Sequence, residues 1–140
     1  MTLRTGGCLC GAIRYELSAE PMFNVACHCR ACQYISGGSP ALAMVFPASA
    51  LKVAKGEPRT YWSEGESGEK VGRSFCGECA TPLFSYPKAN PDIVVIKIGS
   101  LDDAGAFAVQ ADMFMAAAQP WHTPHPGAMQ MPGNPPRPPS

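Results

Sequence analysis

Short apolar runs, several with strict alternation of apolar and polar positions, recur along the chain between glycine- and proline-bearing turns. Residues 2–5 and 12–17 read as strands on either side of the turn Gly6-Gly7-Cys8-Leu9-Cys10-Gly11, whose glycines would let the backbone fold closely about a bound ion. After Pro21, residues 22–26 lead extended into Cys27-His28-Cys29-Arg30-Ala31-Cys32. Residues 30–35 fit one helical turn or a short helix, ended by Ser36-Gly37-Gly38-Ser39-Pro40. Residues 41–46 predict a buried strand, and the alternation at 51–53 and 59–62 predicts two half-buried ones. A polar loop over 64–70 precedes strands at 71–75, 83–86 and 93–99, the last a core strand. In 107–115, Phe107, Val109 and Ala111 alternate with other residues, which favours β over helix. Many short strands separated by such turns predict a mainly β fold: a single small domain of short antiparallel sheets.

From Pro120 onward eight of 21 residues are proline, and no helix or internal strand tolerates that density. Residues 1–121 are therefore expected to form the domain and 122–140 a proline-rich arm and tail. Trp121 begins an extended arm running to Met131 that can pack against the rest of the chain, and 132–140 is expected to be disordered.

At 140 residues, with 46% hydrophobic and 16% charged residues, the chain suits one globular domain. Its 11 basic and 11 acidic residues cancel, and no basic cluster marks a nucleic-acid surface, so that partner is not expected. The N-terminus lacks the apolar core of a secretory signal, and the longest apolar candidate for a span, 93–98, is broken by Lys97. A cytoplasmic protein is expected, in which thiols stay reduced and clustered cysteines signal metal or catalysis.

Seven cysteines carry the chemistry, and an odd count does not fit a plain disulfide framework. Cys8 and Cys10, with the distant Cys76-Gly77-Glu78-Cys79, make up four sulfurs, enough for a closed tetrahedral zinc site. The redox alternative for a CxxC expects a βαβ context, which is missing here. In an extended segment Cys27 and Cys29 share a face, and a turn brings Cys32 to the same point. Three converging sulfurs leave one position open; alternatively His28, Asp112 or another side chain closes a second structural site. His28, between two cysteines of an extended segment, points away from them. Three thiolates would leave a bound zinc with a formal charge of about −1, a weak activator of water but a good binder of a soft sulfur ligand. With seven thiolates and two zinc ions the whole protein would carry about −3.

The set Gly6-Gly7-Cys8-Leu9-Cys10-Gly11-Ala12-Ile13-Arg14-Tyr15, Cys27-His28-Cys29-Arg30-Ala31-Cys32 and Phe75-Cys76-Gly77-Glu78-Cys79-Ala80-Thr81-Pro82-Leu83 resembles the glutathione-dependent formaldehyde-activating enzyme family, which includes the centromere-protein-V-like proteins. The resemblance spans residues 6–121. It implies two Zn2+ per chain, a structural one on Cys8, Cys10, Cys76 and Cys79 and a catalytic one on Cys27, Cys29 and Cys32. It also implies a carbon–sulfur lyase-type reaction, in which a thiol such as glutathione takes the fourth zinc position and adds to formaldehyde or another small aldehyde. Two residues depart from the pattern. Ala80 stands where a glycine commonly follows the CxxC, and the segment ending Gln119-Pro120-Trp121 lacks the usual basic residue, which weakens the expected hold on glutathione.

Arg30, Phe114 and Trp121 are the candidate substrate-binding residues, with Trp62 a further possible pocket wall. His122 and His125, in the proline-rich arm, are expected to be exposed. A homodimer is compatible with the sequence. The competing functions are a zinc module that binds a protein or nucleic acid without catalysis, and a zinc- or redox-responsive sensor.

Overall fold

Two β-sheets share one core in the structure, a computed structural model that describes residues 3–65 and 68–134. β1 (Arg4–Gly7) and β2 (Arg14–Leu17) flank the first cysteine turn, and β3 (Phe23–Cys27) runs into the helix α1 (Arg30–Ile35). β4 (Ala41–Pro47), β5 (Leu51–Lys55), β6 (Arg59–Glu64), β7 (Lys70–Phe75), β8 (Pro82–Pro87) and β9 (Ile93–Lys97) follow, then β10 (Ala111–Met113) and β11 (Met129–Gln130). One sheet has the order β1-β2-β5; the other has the order β11-β10-β3-β4-β9-β8-β7-β6. Among the described residues, no helix is long and apolar enough to cross a membrane.

Alternation within the central strands sets the core. Met44 and Phe46 of β4 and Val94 and Ile96 of β9 face inward, against Tyr15 and Leu17 of the smaller sheet and Phe84 of β8. Each large side chain so buried contributes about 1.5–3 kcal/mol. Tyr15 meets Phe84 edge to face at 5.0 Å, and its hydroxyl donates to Ser100 Oγ at 2.7 Å, which donates on to the Lys97 carbonyl at 2.8 Å. A buried phenol would otherwise be left unpaired.

Several expectations need correction. The sheets are mostly antiparallel, but β10 runs parallel to both β3 and β11. The strands at 51–53 and 59–62 form, yet β5 and β6 are largely exposed rather than half-buried, because each lies at a sheet edge. Of 107–115 only Ala111–Met113 is strand. Asn24 Nδ2 donates to the Ala108 carbonyl and the Asn24 N–H to Gln110 Oε1, so side-chain bonds stand beside a single backbone bond, from the Gln110 N–H to the Asn24 carbonyl, instead of a full ladder. The arm is docked: Met131, Pro132 and Gly133 carbonyls accept from the N–H groups of Met115, Ala116 and Phe114. The disorder expected for 132–140 thus does not hold at Pro132 and Gly133, and residues 135–140 lie outside the described residues. β11 is an edge strand, the one place where a proline-rich segment can join a sheet.

Gly6 owes its place to packing rather than to an ion, since a Cβ there would overlap the Ser100 carbonyl and the Tyr15 ring. Ala80 explains the family's usual glycine, because its φ of 65° is left-handed. Ala80→Gly is therefore expected to stabilise the protein by about 0.5–1 kcal/mol, read as a raised melting temperature. An unchanged or lower value would mean that the turn carries no strain.

Candidate metal centres and active site

The first centre lies between the sheets. Cys8 and Cys10 come from the β1–β2 turn, and Cys76 and Cys79 from the β7–β8 turn. Cys8 and Cys10 sulfurs are 3.6 Å apart, and Cys10 and Cys76 sulfurs 3.8 Å. Four sulfurs at about 2.3 Å from a tetrahedral zinc would be separated by about 3.8 Å, so the cluster fits that ion. Backbone N–H groups of Ile13 and Glu78 point at Cys8 and Cys76 sulfurs at 3.2 and 3.4 Å, the environment a thiolate needs. The Thr81 hydroxyl, 3.1 Å from its sulfur, holds the Cys79 thiol down at about 5. A backbone hydrogen bond from Ala12 pulls Cys10 down, but the neighbouring Cys8 sulfur helps push it up to about 12. Cys10 and Cys79 shift in opposite directions, and a bound cation would relieve the crowding of thiolates behind this.

The second centre is built where β3 meets α1. Cys27 ends the strand, Cys29 caps the helix by accepting the Cys32 N–H at 3.4 Å, and Cys32 follows one turn later. The sulfurs converge, with buried Ala41 and half-buried Phe114 packed against them. Hydrogen bonds from Cys27 and Cys29, with the charges of Lys97 and Arg73, hold Cys32 down at about 2. Its neighbours Cys29 and Cys32 push Cys27 far up. Here too a bound cation would relieve the crowding of thiolates. All seven cysteines are free.

Neither His28 nor Asp112 completes this second centre, because the two face each other, with His28 Nε2 2.8 Å from Asp112 Oδ1. Burial pushes the Asp112 carboxyl up, but hydrogen bonds from His28, Gln130 and His125 outweigh it and hold it well below the usual carboxylate range. His122 and His125 are half-buried instead of exposed. His122 Nδ1 lies 3.0 Å from His28 Nδ1, and His125 Nδ1 lies 2.8 Å from Asp112 Oδ1.

Of the candidate substrate residues, Phe114 lies closest to the sulfurs, in the left-handed region at φ 57°. Arg30 bonds to Gln33 and lies over the Tyr34 ring at 4.9 Å. Trp121 is 68% exposed and reaches the Gly38 carbonyl at 3.5 Å. Trp62 covers Gly72 on the edge strand and does not line the cavity described next.

A cavity of about 190 Å³ lies beside α1, with Tyr34 and Ile35 on one side and Arg73, Phe84 and Lys97 on the other. Strand register explains the cations. Arg73 pairs with Ser85, Ser85 with Val95, and Lys97 with Ala43, so these side chains share the face opposite Ile96. Arg73 is buried; its Nη1 donates to Ser63 Oγ at 2.9 Å, its Nε has no hydrogen-bond partner, and no carboxylate pairs with it among the described residues. Sequence reasoning missed Arg73 and Lys97, which look like ordinary polar positions of alternating strands. It also missed the histidine cluster, whose one signal was that the chain has only three histidines.

Residues 3–117 match the family described as "Glutathione-dependent formaldehyde-activating enzyme". The fold is similar to the crystal structure of a Rhodobacter sphaeroides protein, a structural-genomics target. The two share 23% identity with a TM-score of 0.60, over 73% of this chain and 91% of that one.

Proposed function

Because the chain belongs to the glutathione-dependent formaldehyde-activating enzyme family, we propose that it joins a small anionic thiol to formaldehyde or another small aldehyde at Cys27, Cys29 and Cys32. The observation that carries this reading is a three-sulfur centre beside a cavity lined by a buried, carboxylate-free Arg73 and by Lys97. A zinc ion held by the three sulfurs, when bound, would supply a fourth position for the substrate sulfur and keep it as thiolate, the nucleophilic form. Arg73, with its unpaired Nε–H, and Lys97 hold the carboxylate of the thiol substrate, which orients its sulfur toward Cys32. They supply the positive charge that the segment before Pro120 lacks. Phe114, packed on the cysteines, limits water around the reacting atoms. The thiol gives its proton to solvent and its sulfur pair forms one carbon–sulfur bond; the carbonyl π pair moves to oxygen, which takes a proton from solvent, and the product is a hemithioacetal, S-hydroxymethyl in the case of formaldehyde. Cys8, Cys10, Cys76 and Cys79 would hold a structural zinc. A cytoplasmic setting suits seven free cysteines.

The test compares glutathione, N-acetylcysteine and the uncharged 2-mercaptoethanol on cobalt-substituted protein. The carboxylate-bearing thiols are expected to perturb the sulfur-to-cobalt charge-transfer band and, with formaldehyde, to form adduct faster than in buffer. Cys29→Ser should abolish both. No spectral change and no rate above the uncatalysed one would leave a non-catalytic zinc module as the better reading.

A further inference from the structure

All three histidines of the chain meet at one point outside both sulfur centres. His28 comes from between Cys27 and Cys29, Asp112 from β10, and His122 and His125 from the arm. The His28 and Asp112 side chains are 0% exposed, and that of His125 is 34% exposed. His28 Nε2 and His125 Nδ1 each lie 2.8 Å from the same oxygen, Asp112 Oδ1. The other oxygen, Oδ2, accepts from the His125 N–H at 2.8 Å and from Gln130 Nε2 at 2.7 Å.

The acceptors around the rings fix their hydrogens. His122 Nε2 faces the Gly38 carbonyl at 2.8 Å; a carbonyl only accepts, so this nitrogen carries the hydrogen. Gln119 N–H donates to His122 Nδ1 at 3.2 Å, which marks Nδ1 as the lone-pair nitrogen. His28 Nδ1, 3.0 Å from it, therefore donates. His28 Nδ1 is then spent on His122, and Nε2 faces a carboxylate oxygen in a fully buried place. A nitrogen and a carboxylate oxygen stand this close only with a cation, either a proton or a metal ion, between them. A proton would satisfy one such pair, but here a second imidazole converges on the same oxygen, and all three atoms lie within 4.8 Å of one another.

We propose that His28 Nε2, Asp112 Oδ1 and His125 Nδ1 form a third metal site, for a divalent first-row cation such as Mn2+, Fe2+, Co2+ or Ni2+. Two imidazoles and a carboxylate suit these ions, whereas thiolates select softer ones. At ligand bonds of about 2.1 Å, atoms 2.8 Å apart subtend about 85°, close to adjacent positions of an octahedron. A tetrahedral pair would stand about 3.4 Å apart, so the separations favour an octahedral ion with solvent on its remaining positions. The supporting bonds are in place. His28 Nδ1 is held by His122 and so by Gly38, and Asp112 Oδ2 by Gln130 and the His125 backbone. His125, partly exposed, gives the ion its way in. The ion would fasten the arm carrying Trp121 to the residue between two cysteines of the second centre.

The test uses full-length protein with zinc on both sulfur centres, titrated with Co2+ by calorimetry while zinc retention is followed by elemental analysis. One equivalent of Co2+ is expected to bind without loss of zinc and without the sulfur charge-transfer band. His125→Ala should weaken that binding by at least about tenfold, and Gln130→Ala by about tenfold. Asp112→Asn should abolish it; if that variant fails to fold, His125→Ala decides, since His125 is no part of the core. No Co2+ uptake, or equal uptake by His125→Ala, would overturn the proposal and leave a proton between His28 and Asp112.

Discussion

Cys76→Ser is expected to unfold the protein, and Cys29→Ser to leave it folded. Cys76 is buried at the start of the β7–β8 turn, and its sulfur meets that of Cys10 across a gap of 66 residues. A zinc ion on the four sulfurs would therefore tie the three-stranded sheet to the eight-stranded one, in addition to their shared core. Structural zinc contributes about 10–16 kcal/mol to folding in small zinc domains, as much as the entire stability of a typical domain, about 5–15 kcal/mol. Losing one ligand thus removes most of what keeps the fold together. Cys29 belongs to a centre built from one continuous segment, residues 27–32, so its loss unties no distant segments, and β3 stays paired with β4 and β10. Circular-dichroism melts with zinc analysis check this: no cooperative transition for Cys76→Ser, and a cooperative transition with one zinc fewer for Cys29→Ser. Equal destabilisation by both would make the three-cysteine centre structural as well.

Arg73→Gln is expected to cut kcat/KM for carboxylate-bearing thiols by about 10–100-fold, mostly through KM. A hydrogen bond to a charged group contributes about 1.5–3 kcal/mol, and every 1.4 kcal/mol is tenfold. Glutamine keeps a polar amide near the position of Nε but removes the buried charge, whose Nε has no partner in the fold. The same change should leave 2-mercaptoethanol nearly untouched and the melting temperature equal or higher, because an unpaired buried cation opposes folding. Equal losses for charged and uncharged thiols would assign Arg73 to the scaffold.

Much of this protein was legible along the chain. The helix at Arg30–Ile35 falls where expected, because a capping cysteine precedes it and Ser36-Gly37-Gly38-Ser39-Pro40 forbids its extension. The strand Ile93–Lys97 was legible because β-branched residues fill it. The division of seven cysteines into four and three follows from their spacing, and the structure gathers those same groups. These features depend on near neighbours, where backbone geometry and ligand spacing act over a few residues.

What needed the tertiary structure is everything that joins distant segments. Alternation tells which face of a strand is buried but not which strand lies beside it, so the parallel pairing of β3 with β10 had no signal. Arg73 and Lys97 come to one cavity only through the register of β7, β8 and β9. Proline density bars the arm from helix and internal strand because proline removes donors. Its carbonyls still accept, and they are what dock it to Phe114 and Met115. His28 and His122 stand 94 residues apart, and no local pattern links them. Sequence determined the local elements and the ligand inventory, because those follow from short-range sterics and chemistry. Only packing decided which of them meet, because that depends on closing the whole core at once.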